Sequence, residues 1–207
     1  MTALLAGLGL GFSLIIAIGA QNVFVLRQGL RREHVALVAA ICAISDAALI
    51  LIGISGIGAA TSALPWLVPV IRWAGAVFLV GYGALAARRA IRPDGAGLAV
   101  EGEGDPAAKA TTAVSVALTT LALTWLNPHV YLDTVFLLGS VGASHGTDRW
   151  VFAVGAMVAS VIWFFGLAYG ARLLSRWLAG PRAWRYLDAG IAVVMITLGV
   201  SLVWPSA

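Results

Sequence analysis

The stretch GAQNVFVLRQGLRRE, residues 19–33, decides how this chain is read. Two amides, Gln21 and Asn22, interrupt an apolar run before any loop signal appears. The surrounding composition says what kind of run it is. Of the 207 residues, 61% are hydrophobic and 11% are charged, against about 25% charge in soluble domains. Mean hydropathy is +0.97. The apolar residues come in runs of roughly 20, the length at which a helix crosses about 30 Å of hydrocarbon. The expectation is an all-α membrane protein in one domain, residues 1–207. A pI near 9.8 would suggest nucleic acid in a soluble protein. Here the basic residues sit between apolar runs, where they set membrane orientation, and no nucleic-acid partner is expected.

Apolar windows bounded by charge, Gly or Pro give six spans, at about 3–26, 34–59, 66–88, 112–141, 150–172 and 184–204. The opening MTALLAGLGLGFSLIIAIGA has no basic residue ahead of its apolar stretch and reads as a retained first span. The long connection near 91–110 is rich in Gly, Pro and acidic residues and reads as a surface loop. It separates two halves, about 1–90 and 111–207.

Charge then fixes the orientation. Arg27, Arg31, Arg32, Arg88, Arg89, Arg92, Lys109, Arg172, Arg176, Arg182 and Arg185 fall in the first, third and fifth connections, eleven of the thirteen Lys and Arg. Arg149 falls on the opposite side, and Arg72 lies just inside the third span. The positive-inside rule makes the first set cytoplasmic and both termini extracytoplasmic. Trp66, Trp150, Trp177, Trp184 and Trp204 lie near span ends, as an interfacial belt requires, whereas Trp125 and Trp163 do not and are expected to face the bundle interior.

IAIGAQNVFVL (16–26) and LALTWLNPHVYLDT (121–134) are two interrupted spans in matching places, Asn22 and Asn127 being 105 residues apart. Three spans per half is an odd number, so a duplicated half inserts upside down. The expected fold is therefore six transmembrane helices as two inverted three-helix repeats, with helices 1 and 4 broken. Gly19 and Pro128 loosen the ladder, and Gln21, Asn22 and Asn127 supply amides where it no longer satisfies itself. Those amides serve either as interhelical hydrogen bonds or as ligand contacts at exposed helix ends.

Asp46 lies near the middle of the second span, where an unpaired carboxylate costs at least about 2.5–3.5 kcal/mol and marks a functional site by default. Its expected partners are the amides of the broken helices, a bound cation or a proton. Asp133 follows His129 by four residues on the fourth span and suggests a second anionic contact with the same cavity, or a local ion pair. GLGLG (7–11) and GISGIG (53–58) are expected to serve close helix packing. Cys42, the single cysteine, is expected to be buried and has no partner for a disulfide or a redox relay.

The blocks IGAQNVFVLRQGLRREHV, CAISDAALILIGISGIG and TWLNPHVYLDT, in that order, resemble the LysE/ArgO family of bacterial inner-membrane exporters of lysine and arginine. The resemblance covers essentially the whole chain. Exporters of neutral amino acids in the same superfamily typically carry Pro-Gly-Pro-Asn where this chain has Gly19, Ala20, Gln21 and Asn22, and usually lack an acid at Asp133. The resemblance implies a multi-pass protein of the cytoplasmic membrane that exports basic amino acids, with Gln21, Asn22, Asp46, Asn127 and Asp133 as transport residues. It implies no cofactor and no enzymatic activity.

Lysine and arginine present a carboxylate to amides and helix N-termini and a cation to acids, which suits that residue set. Export of a net cation from a negative interior costs about 2.3 kcal/mol per 100 mV, and exchange for one incoming proton at Asp46 cancels that charge movement. Protons and the basic amino acid are thus the expected partners, together with the bilayer, and the small-residue faces are compatible with a homodimer. Neutral amino-acid export and an inorganic-cation permease are the alternatives. For soft metals the ligand supply is thin, with His34, His129, His145 and Cys42 scattered along the chain. Neither HExxH nor GxSxG occurs.

Overall fold

In a computed structural model, residues 1–16, 19–56, 67–91, 112–174 and 181–203 are described, and all their regular structure is helical. The helices are α1 (Thr2–Ile15), α2 (Ala20–Arg31), α3 (Val35–Ile54), α4 (Leu67–Ile91), α5 (Ala113–Trp125), α6 (Pro128–Val130), a π-helix (Tyr131–Leu138), α7 (Gly139–Ser144), a single 3-10 turn (Gly146–Asp148), α8 (Arg149–Leu174) and α9 (Pro181–Val203). The expected loop, with Arg92 and Lys109, lies outside the described residues apart from Ile91, as do Arg176, Trp66, Trp177, Trp204 and the end of GISGIG.

Among the described residues, three helical stretches are long and apolar enough to cross a membrane: Val35–Ile54, Gly146–Leu173 and Arg185–Val203. The pair α1 and α2, set at 82° to each other, makes a fourth if counted as one broken span. Both interruptions fall where the amides are. The first separates Ile15 from Ala20, with Gly19 as the extended N-cap of α2. The second separates Trp125 from Pro128, which takes the first helical position, where its missing N–H is not needed.

Small residues set which helices meet. A Cβ on Gly7 or Gly11 would strike Phe152 or Ala156 and Ala159, so α1 lies against α8. One on Gly53 would lie 2.7 Å from the Val135 carbonyl oxygen, which brings α3 against the π-helix. Gly83 and Gly199 likewise seat α4 against α9. With little hydrophobic drive between helices in lipid, such close approach supplies the packing. α3 also packs on α8, and together they carry buried Cys42, Leu49, Ile50, Phe152 and Phe164.

Several basic residues expected in connections lie within helices instead, Arg27 and Arg31 in α2, Arg88 and Arg89 in α4, Arg172 in α8 and Arg182 and Arg185 in α9, and Arg27 departs furthest. Arg27 belongs to no connection: α2 continues to Arg31, and Arg27 is buried, with its Nη2 3.2 Å from Asp188 Oδ1 on α9 and its Nη1 3.3 Å from the Tyr82 hydroxyl on α4. A charge that ends an apolar window reads as a loop, but a buried acid lets the helix carry it inside. Arg72, at the other end of α4, donates from Nε to the Leu202 carbonyl.

Candidate functional site

The first break leaves two sets of backbone groups outside a ladder. The helix α1 ends at Ile15, and the ladder of α2 begins only with Val23 N–H to Gly19 O at 3.1 Å. Asn22 spans the gap: its Nδ2 donates to the Ile15 carbonyl at 2.8 Å, and its Oδ1 accepts from the Trp163 indole at 3.2 Å. The second break is held in the same manner. The Tyr131 hydroxyl donates back across it to the Trp125 carbonyl at 2.9 Å, and Asn127 Oδ1 accepts from His129 N–H at 3.1 Å. In each case a side chain beyond the break satisfies a carbonyl ahead of it.

Between the breaks stands Asp46 on α3, 4% exposed. Ser160 on α8 donates to its Oδ2 at 2.9 Å. Next to it, Ser45 accepts from the Trp125 indole at 3.2 Å, tying α3 to the end of α5. Trp125 and Trp163 thus both face the interior and fasten the broken helices to α3 and α8.

These groups surround one cavity of about 330 Å3. Gly19, Gln21 and Asn22 come from the first break, Asn127, His129 and Asp133 from the second, and Asp46 from α3. Leu79, Phe164, Leu198 and Leu202 supply apolar wall from α4, α8 and α9. All five candidate residues read from the sequence line it.

Their surroundings differ. Gln21 Nε2 is buried and makes no sound hydrogen bond among the described residues, its contact with the Cys42 thiol being of the weak sulfur kind. Asp133 sits half-buried in the π-helix, whose wider turn shifts it and Thr134 relative to α-helical register. π-helical turns recur at functional sites because they re-aim side chains. The cavity is therefore lined by amide residues and the start of α2 on one side and by two carboxyl residues on others. That arrangement suits a ligand with separated negative and positive ends. No group of three or more His, Cys, Asp and Glu is gathered as metal ligands among the described residues.

Sequence reasoning missed Ser160, the π-helix and the Arg27–Asp188 pair. Ser160 is a lone hydroxyl in an apolar run and gave no signal. Asp188 did carry one, being an acid inside an apolar span of the same kind as Asp46.

Helical throughout its described regular structure, with two interrupted helices around a cavity that sets amides and carboxyl groups in an apolar wall, the chain has the build of a membrane transporter. Residues 12–206 match the model of the LysE type translocator family, and the chain belongs to that family. It is 48% identical over 188 residues to a Mycobacterium tuberculosis protein whose name proposes it as an amino-acid transporter, covering 91% of this chain and 90% of that one. It is 41% identical over 208 residues to the arginine exporter protein of Serratia proteamaculans, covering 100% and 98%. With the lysine exporter of Corynebacterium efficiens the identity is 38% over 226 residues, covering 98% and 99%. No solved structure matches the chain.

Proposed function

We propose that this protein exports L-arginine, L-lysine or both across the bacterial cytoplasmic membrane by exchange for protons. The observation that carries the reading is the cavity itself. It gathers Gln21, Asn22, Asp46, Asn127 and Asp133 from the two helix breaks and α3 around about 330 Å3, a volume within the roughly 300–1,000 Å3 of small-molecule pockets. The substrate carboxylate takes the Gln21 amide and the first turn of α2. Asp46 and Asp133 take the cationic groups. The names of the Serratia and Corynebacterium relatives point to the same substrates.

Asp46 alternates between proton and substrate. Among the described residues, Ser160 donates to it, and no Lys or Arg stands on the cavity wall to neutralise it. Moving a cation outward costs about 2.3 kcal/mol per 100 mV of interior-negative potential, and one proton moving inward offsets it.

The packing supports two inverted repeats within a single domain. If α1–α2, α3 and α4 form one half and α5–α7, α8 and α9 the other, exchanging the halves turns the contact of α1 with α8 into that of the π-helix with α3. It leaves the pairs α3–α8 and α4–α9 in place. The basic ends of α2, α4, α8 and α9 gather on one face, as Gly29 against Ala168 and Arg185 Nε to Ala90 O at 3.1 Å indicate. The positive-inside rule makes that face cytoplasmic and both termini extracytoplasmic.

A strain fed an arginine- or lysine-containing dipeptide tests the reading. Expression should lower the internal basic amino acid, and Asp46→Asn should not. Export of threonine or leucine in place of arginine and lysine would move the chain to the neutral branch.

A further inference from the structure

The two carboxyl groups of the cavity are placed and partnered unequally. α5 and the π-helix run alongside α3 in the same direction. The Trp125 indole on Ser45 holds one end, and Gly53 the other, where a built Cβ would lie 2.8 Å from the Thr134 oxygen and 2.7 Å from that of Val135. Asp46 follows Ser45, and Gly53 stands seven residues further on, about 10 Å along the axis at 1.5 Å per residue. Asp133 precedes Thr134, so it stands beyond Asp46 by somewhat less than that distance. Ile50, one turn after Asp46, lines the interval. In the other direction Cys42 lies one turn before Asp46, and the Gln21 side chain reaches its thiol. The order along α3 is thus amide, carboxyl, apolar wall, carboxyl.

Hydrogen bonding separates the two acids as well. Ser160 donates to Asp46 Oδ2 at 2.9 Å and so engages one of its oxygens. Among the described residues no hydrogen bond engages either oxygen of Asp133, whose electrostatic neighbour is His129, four residues before it. An ammonium is a point charge that one oxygen can accept, whereas a guanidinium presents a planar fork that takes both oxygens of one carboxylate. Asp46 fits the first. Asp133 fits either.

A basic amino acid carries its groups in the same order, from carboxylate to α-ammonium to apolar stem to terminal cation. Five bonds of about 1.5 Å, in zigzag, set the terminal cation of extended lysine or arginine about 6 Å from Cα. Hydrogen bonds of about 3 Å at the two ends bring the span to the scale of the interval between Asp46 and Asp133.

We infer that Asp46 holds the α-ammonium, which every amino acid carries, and that Asp133 holds the terminal cation, so that Asp133 is the residue that selects basic from neutral amino acids. The inference deepens the proposed export of basic amino acids and rests on it. One carboxyl group binds without choosing, and the other chooses.

Competition against labelled L-arginine on the full-length protein in detergent tests the division, with two analogues that each lack one cation. Citrulline has a neutral urea group in place of the guanidinium, and δ-guanidinovalerate has no α-ammonium. Wild type should bind each about tenfold or more weaker than arginine, the range for loss of a charge-assisted contact. In Asp133→Asn the preference for arginine over citrulline should vanish, while that over δ-guanidinovalerate persists. In Asp46→Asn the two results should exchange. Any other pattern, whether the assignment reversed, both preferences lost together or both retained, overturns the inference.

Should either variant fail to fold, chain length decides in the wild type. A shorter homologue, α,γ-diaminobutyrate, carries the same two cations as lysine on a stem two methylenes shorter and falls short of Asp133 when held at Asp46. It should bind at least several-fold weaker than lysine, and equal affinity contradicts the inference. Wild-type protein that binds neither arginine nor lysine defeats the export reading instead, so the two failures are distinct.

Discussion

Ser160 Oγ donates to Asp46 Oδ2 at 2.9 Å across the contact between α8 and α3. The carboxyl group on the cavity wall is thereby aimed by a helix of the opposite half of the chain. Ser160→Ala should leave the fold intact and slow arginine efflux by about tenfold or more, since a hydrogen bond to a charged group contributes about 1.5–3 kcal/mol. Ser160→Thr, which keeps the hydroxyl, should restore most of the rate. Initial efflux rates from proteoliposomes compare the three proteins. Equal rates for wild type and Ser160→Ala would show that Asp46 needs no such support.

Exchange of one monovalent cation for one proton moves no net charge. Efflux should therefore quicken when the outside is made acidic, with membrane potential clamped at zero. It should be indifferent to an imposed potential at equal pH. A rate that follows the potential, changing several-fold per 100 mV, would instead mean uncompensated charge movement of about 2.3 kcal/mol per charge.

The two breaks are held by matching devices, Asn22 to the Ile15 carbonyl and Tyr131 to the Trp125 carbonyl. Asn22→Ala and Tyr131→Phe should each lower stability by about 1–3 kcal/mol, the cost of leaving a buried polar group unmatched. Thermal unfolding in detergent measures both. Asn22→Ala also removes the acceptor of the Trp163 indole. Its tryptophan emission should shift, and that of Tyr131→Phe should not shift through Trp163.

Gly53 is a packing position. A side chain there would begin 2.7 Å from the Val135 oxygen and 2.8 Å from the Thr134 oxygen, both backbone atoms that cannot swing aside. Gly53→Val should destabilise by at least about 1–3 kcal/mol and displace the π-helix that carries Asp133. Its melting temperature should fall, and arginine binding should weaken with it. Gly9, with nothing within 4 Å of a built Cβ, should accept alanine with no loss.

The helix breaks were legible because they rest on local chemistry: Gly19 and Pro128 weaken a ladder, and amides beside them betray unsatisfied backbone. Asp46 was legible for a related reason, since an acid deep in an apolar run demands a purpose. The partners of these groups were not legible. Ser160 matters only because α8 lies against α3, a tertiary fact with no trace in the run around it. The π-helical turn likewise packs on α3 at Gly53, a contact between segments far apart in the chain. Arg27 was misplaced because a basic residue after an apolar window looks like a loop until Asp188, 161 positions later, is seen beside it.

The central claim is that the cavity holding Asp46 binds a basic amino acid, and calorimetric titration of purified protein with L-arginine tests it most directly. The account predicts saturable binding by the wild type, weakened by about tenfold or more in Asp46→Asn at unchanged melting temperature. Equal affinity in the two proteins, or tighter binding of leucine than of arginine by the wild type, would contradict it.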